Sequence, residues 1–195
     1  MSSVQVTVNQ VIVGLLSSVV GQIKRATDEA TEEQLYYRPS ADANSMAWLV
    51  WHLSRWQDYM SASISGDRQV WFTEGWAQRF ALPADLPNEA TGWGDSSEQV
   101  AAFRVDRAVL IGYMEAANRA AVERVAKLTP EQLEQPVSWG TPQTPVDTRP
   151  AWRALTSICG IRFSTLDRST TSEGSSPNQA GAVESGIRAT PGDQT

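Results

Sequence analysis

Apolar residues recur at steps of three and four along this chain, and they do so only as far as Cys159. Within Val6 to Ala26 the stripe is Val8, Val11, Ile12, Leu15, Leu16, Val19 and Ile23, the pattern of an amphipathic helix that buries one face. Its β-branched residues, with Gly14 and Gly21, lower intrinsic propensity, so tertiary packing has to hold it. A second stripe runs through SMAWLVWHLSRWQDYMSASIS. Asn44 or Ser45 caps its start and Gly66 stops it. A third, EQVAAFRVDRAVLIGYMEAANRAAVERVAKL, is capped by Ser96 or Ser97 and ends at Thr129-Pro130. Its apolar positions include Val100, Phe103, Val109, Leu110, Tyr113, Met114, Ala121 and Val125. A fourth helix starts at RPAWRALTSIC, with Asp147 or Thr148 as cap and Pro150 near its first position, where a missing amide does no harm. Three long helices and the start of a fourth predict an all-α four-helix bundle with its last helix truncated. No strand pair is predicted.

The connections divide into three. Glu29 to Asn44 holds Pro39 and one helical turn at EEQL. Asp67 to Asp95 is long and irregular, with Trp71, Phe72, Trp76, Phe80 and Trp93 among its residues. A loop so long and aromatic is expected to be pinned to the body, over a functional site. PEQLEQPVSWGTPQTPVD reads as a further connection. After Cys159 the text changes to GIRFSTLDRSTTSEGSSPNQAGAVESGIRATPGDQT, rich in Ser, Thr and Gly. Such a segment cannot bury enough apolar surface to offset its chain entropy. The expected division is a helical bundle over 1–160 and a disordered tail over 161–195.

The net charge is -6 with no cluster of Lys and Arg, which argues against a nucleic-acid partner, since counterion release needs clustered cations. A lone cysteine, Cys159, excludes an internal disulfide and suits a reducing cytoplasm. The start, MSSVQVTVNQ, lacks the features of a secretory signal. No stretch reaches the roughly 20 apolar residues of a membrane span. A soluble cytoplasmic protein with no membrane partner is expected.

His52 is the single histidine. It stands mid-helix in line with Trp48, Trp56 and Tyr59, on the face that points into the bundle. Two readings stand open. One is a buried neutral imidazole, hydrogen-bonded among aromatic rings. The other is a metal ligand, since imidazole binds zinc, nickel and iron and bundle cores are common places for such sites. One ligand is not a site: a catalytic zinc wants about three protein ligands and an open position. Asp58 and Glu74 are candidate acids, but unpaired carboxylates read as solvated surface, and Arg55 with Asp58 as an intrahelical surface pair. Cys159 has no second histidine to activate it, so it reads as a small apolar residue rather than a nucleophile.

The stretch NSMAWLVWHLSRWQDYM, following YYRPS, resembles the second helix of the DinB-like superfamily. That group includes mycothiol- and bacillithiol-dependent S-transferases and the mycothiol-dependent maleylpyruvate isomerase. The resemblance covers about Val6 to Cys159. It implies a four-helix bundle that holds a divalent metal, often zinc, through a histidine on the second helix and two ligands on the last. Those two lie four residues apart, as H-x-x-x-H or E-x-x-x-H, leading into a segment like HTGQIxYLRG. His52 matches the first ligand, and the other two have no counterpart in the chain as written.

A shift of reading frame supplies them. With permitted codons, Gly160 to Ser176 read from the third base gives DSVQHTGQIDYLRGLI, which contains the closing segment and an aspartate four residues before its histidine. The middle letter of each shifted codon is dictated by the residue actually present, so free codon choice hardly produces this match. The expectation is a one-frame slip near Ile158 to Gly160.

The resemblance implies a metal-dependent S-transferase or isomerase that adds a low-molecular-weight thiol such as mycothiol to a small electrophile. In this chain that activity is expected to be impaired, because two of three ligands are missing. Loss of the last-helix core is also expected to expose apolar faces and favour a homodimer. Two readings from other classes remain: a non-catalytic module for an apolar ligand, and a helical dimerisation protein.

Overall fold

Thr7 opens the first helix, its hydroxyl accepting from the Gln10 amide while the Gln10 side chain caps the Thr7 amide. This reciprocal box satisfies two amides that a helix start leaves free. The structure is a computed structural model and describes residues 6–82, 90–141 and 144–158. In chain order the elements are α1 (Val8–Glu29), α2 (Glu32–Tyr36), α3 (Met46–Ser65), α4 (Val70–Thr73), α5 (Trp76–Phe80), α6 (Ser97–Ala102), α7 (Arg107–Lys127), α8 (Pro130–Glu134), β1 (Pro136–Thr141) and β2 (Thr144–Pro150). A last helical run, α9, occupies residues 151–158.

The cap residues of α3 act as their chemistry dictates. Ser45 accepts from the Trp48 amide, and Gly66 ends the helix in the left-handed region at φ 81°, which glycine adopts without a Cβ penalty. Alpha-7 packs against both α3 and α1. Asn9, early in α1, donates to the Val125 and Leu128 carbonyls, and Arg107 at the start of α7 donates to Thr27 and Ala30. Alpha-1 and α7 are therefore antiparallel. Residues 55, 57 and 58 of α3 meet 113, 118 and 124 of α7 in rising order, so those two helices are parallel. The Ala151 amide bonds the Gln135 carbonyl, and the Gln135 side chain bonds the Ile64 carbonyl. Since α3 stops at Ser65, a helix whose Ala151, Ala154, Leu155 and Ile158 all stay buried runs back along it.

Ile12, Leu16, Val19 and Ile23 of α1 join Trp51, Leu53 and Met60 of α3, Leu110, Tyr113 and Val125 of α7 and the apolar residues of α9 in one core. The all-α bundle is thus as expected. Val8, Val11 and Leu15 lie on another side of α1 and remain 51%, 50% and 38% exposed. Among the described residues no helix is long and apolar enough to cross a membrane.

Four local expectations are corrected. The third long helix is broken: Phe103 to Asp106 leaves helical geometry, Phe103 turns inward against Trp51 at 5.1 Å, and the Asp106 side chain caps α7 through the Ala108 and Val109 amides. A side chain that bonds nearby amides competes with the helix it interrupts. The segment after Asp67 is not wholly irregular, since it forms α4 and α5. A strand pair exists where none was predicted: β1 and β2 are antiparallel, with Pro136 opposite Pro150, Val137 opposite Arg149 and a bulge between Trp139 and Gly140. Thr148 and Asp147, expected as caps, lie within β2 and ahead of the helix that starts at 151. The predicted disordered tail, its frame-shifted reading and Cys159 lie outside the described residues.

Candidate functional site

Positions 48, 52 and 55 of α3 are spaced by four and three, so their side chains leave one face of the helix. Each holds a different point of residues 90–95. The Trp48 indole donates to the Asp95 carboxylate at 2.9 Å. His52 Nδ1 lies 2.5 Å from the Thr91 carbonyl oxygen. The Arg55 Nε donates to the Ala90 carbonyl at 2.9 Å. Gly92 closes the contact. Its φ is +81°, and a Cβ there would lie 2.7 Å from His52 Nδ1 and 2.7 Å from the Trp48 ring. No residue with a side chain lets this segment lie so close to the helix.

The His52 ring stacks on Trp48, centroids 4.6 Å apart at 14°, and meets Trp56 edge-on at 6.3 Å. Trp56 in turn touches Tyr59 and Trp93. Trp93 is 51% exposed. Burial drives the imidazole pKa down from 6.5 to about 4, against the opposing effect of the Thr91 carbonyl, because desolvation penalises the charged ring. The imidazole is therefore neutral at pH 7. The hydrogen-bonded, aromatic-packed histidine read from the sequence is what the structure contains.

One turn further along α3 the expectations fail. Asp58 is completely buried and not on the surface, and Arg55 is buried with it. Asp58 Oδ1 accepts from Arg124 at 2.9 Å and from the Val70 amide at 3.0 Å. Its other oxygen accepts from the Trp71 amide at 2.8 Å and the Tyr113 hydroxyl at 3.3 Å. Gln69 makes no side-chain cap for α4, so Asp58 caps that helix from a neighbouring one. Arg55 reaches the Tyr113 hydroxyl and Gln69 and lies over the Trp71 ring at 4.5 Å. Burial pushes the Tyr113 hydroxyl pKa up, so it stays protonated and able to donate. These charges are engaged structurally. Glu74 is exposed as expected, accepting from the Trp76 indole at 3.1 Å.

A metal needs more donors than this site offers. Among the described residues, no three His, Cys, Asp or Glu side chains come together as a ligand set. Among the described residues His52 has no partners of the kind a divalent ion requires, so those residues do not fit the metal that the family resemblance implies. Sequence reasoning missed the parts of Thr91, Gly92 and Asp95. The only written trace of them is the Gly-Trp-Gly run at 92–94.

A family model for the DinB superfamily matches residues 19–157. Among solved structures, the conserved protein of a locus from Enterococcus faecalis resembles this chain with a TM-score of 0.65 at 22% identity. That likeness covers 83% of this chain and 96% of the other, and at such identity it speaks for the fold alone. No curated protein matches the sequence.

Proposed function

Because the chain belongs to the DinB superfamily, we propose that it derives from a metal-dependent enzyme adding a low-molecular-weight thiol to a small electrophile, and that the reaction is lost in this chain. The observation that carries the reading is the isolation of His52. A neutral imidazole is held on the bundle face of α3, yet no ligand set forms around it among the described residues.

The direction of α9 supports the origin of the gap. Residue 151 is tied to Ile64 through Gln135, and His52 stands twelve positions back along α3. At about 1.5 Å per residue, a helix continued from 151 would come level with His52 at about residue 163. In the shifted frame, DSVQHTGQIDYLRGLI would begin at position 160 and bring its histidine to that level. A one-frame slip thus accounts for a bundle that keeps one ligand and lacks two. The gene decides this directly: codons for Ser164 and Thr165 without CAC in the alternate frame would remove the explanation.

Elemental analysis of the purified chain tests the functional reading, with a second protein in which the shifted sequence replaces residues from 160. The expected result is far less than one equivalent of zinc, nickel or iron on the first and close to one on the second. Transfer of mycothiol to an electrophile is expected only from the second. Stoichiometric metal on the chain as written overturns the proposal.

A binding role for an apolar ligand rests on Trp93, half-exposed and packed on Trp56 beside His52. Tryptophan fluorescence titration with a hydrophobic dye tests it. Self-association as a homodimer is proposed from the exposed Val8, Val11 and Leu15 of α1, and concentration-dependent sedimentation is its check.

A further inference from the structure

A carbonyl oxygen can only accept a hydrogen bond. At 2.5 Å from the Thr91 carbonyl, Nδ1 of a neutral imidazole must carry the hydrogen, and Nε2 must carry the free lone pair. No hydrogen bond to Nε2 exists among the described residues. We infer that residues 90–95 form a strap that positions His52, with Gly92 as its positioning residue. The strap fixes the Nδ1–H tautomer and the ring plane so that Nε2 is the atom offered to a ligand.

Three features make the strap a positioning device and not a chance loop contact. It is tied at three places by one helix face, through Trp48 to Asp95, His52 to Thr91 and Arg55 to Ala90. Trp48 both anchors the strap and stacks on the imidazole, so one side chain sets the ring plane while the strap sets its hydrogen. Gly92 has the positive φ and the missing Cβ that bring the adjacent carbonyl within reach. A backbone carbonyl acting on the far nitrogen of a ligating histidine is how metal sites fix tautomer and ring orientation. Here the arrangement stands in a chain whose described residues supply no further ligands. The ligand class is a small molecule with an acidic hydrogen, such as a thiol, that can donate to the lone pair of an sp2 nitrogen.

The inference rests on the proposed function only in treating His52 as the working residue. Its test needs neither metal nor substrate. Two-bond proton–nitrogen correlation spectra of the 15N-labelled full chain at pH 7 report the tautomer, and a single histidine makes the assignment unambiguous. The expected pattern is one Nδ1–H tautomer in the unmodified chain and a mixture of tautomers in Gly92→Ala. An Nε2–H tautomer in the unmodified chain overturns the inference, as does a folded Gly92→Ala with an unchanged pattern. If Gly92→Ala does not fold, Asp95→Ala cuts the Trp48 anchor alone. A mixture there supports the strap, and an unchanged single tautomer overturns it. Failure of the metal and transfer assays would sink the functional reading without altering this spectrum. The converse failure would leave those assays untouched.

Discussion

Asp58 on α3 and Arg124 on α7 meet at 2.9 Å with the carboxylate fully buried and the guanidinium 8% exposed. The pair joins α3 to α7. The same carboxylate accepts the Val70 and Trp71 amides, so one side chain fixes the α3–α7 pairing and the placement of α4. Removing a partner from a buried pair leaves the other charge uncompensated, at a cost of about 3–5 kcal/mol. Asp58→Ala is expected to lose that much in urea unfolding and to expose Trp71, which shifts its fluorescence to the red. A loss below about 1 kcal/mol would show that water replaces the carboxylate without difficulty.

Asp106 gives a smaller and more local test. It accepts from the Ala108 and Val109 amides at 2.8 and 3.3 Å and is the point where a continuous helix reading breaks. Loss of such a cap costs about 1 kcal/mol. Asp106→Ala is therefore expected to lower the unfolding midpoint modestly, while Asp106→Ser or Asp106→Asn retains most of the stability. Equal losses in all three variants would mean that the side chain does not cap.

These two aspartates show where the sequence was legible and where it was not. Alpha-3 was readable at both ends because its signals are local: Ser45 bonds an amide three residues on, and Gly66 needs only its own backbone. The burial of Asp58 was not, because its partners stand at 70, 71, 113 and 124, and a carboxylate is ordinarily solvated until such partners are known. The break before Asp106 was hidden by apolar periodicity that runs on through Phe103 and Val109 although the backbone does not. The hairpin escaped because its first strand begins, and its second ends, with proline, which reads as loop. At the site, His52 and its aromatic company were legible by helical spacing. The hold of residues 90–95 was not, since backbone carbonyls leave no mark in a sequence.

The partly buried imidazole makes stability depend on pH in a direction that can be worked out. In the folded chain His52 titrates near 4, and its ordinary value is 6.5. Between those values the unfolded chain holds more protons, so stability falls as pH falls. The contribution is complete above pH 6.5 and is lost progressively on the way down to about 4. The full shift corresponds to at most roughly 3 kcal/mol, less where solvent reaches the ring. His52→Gln removes the titrating group while leaving every carboxylate in place, so the difference between the two proteins isolates the ring. Urea unfolding at intervals from pH 7 to pH 4 is expected to show the stability of the unmodified chain, relative to His52→Gln, shrinking steadily across that range. A constant difference would mean that the imidazole is no more shielded in the fold than in the open chain, and that the packing of Trp48 and Gly92 around it does not exclude water.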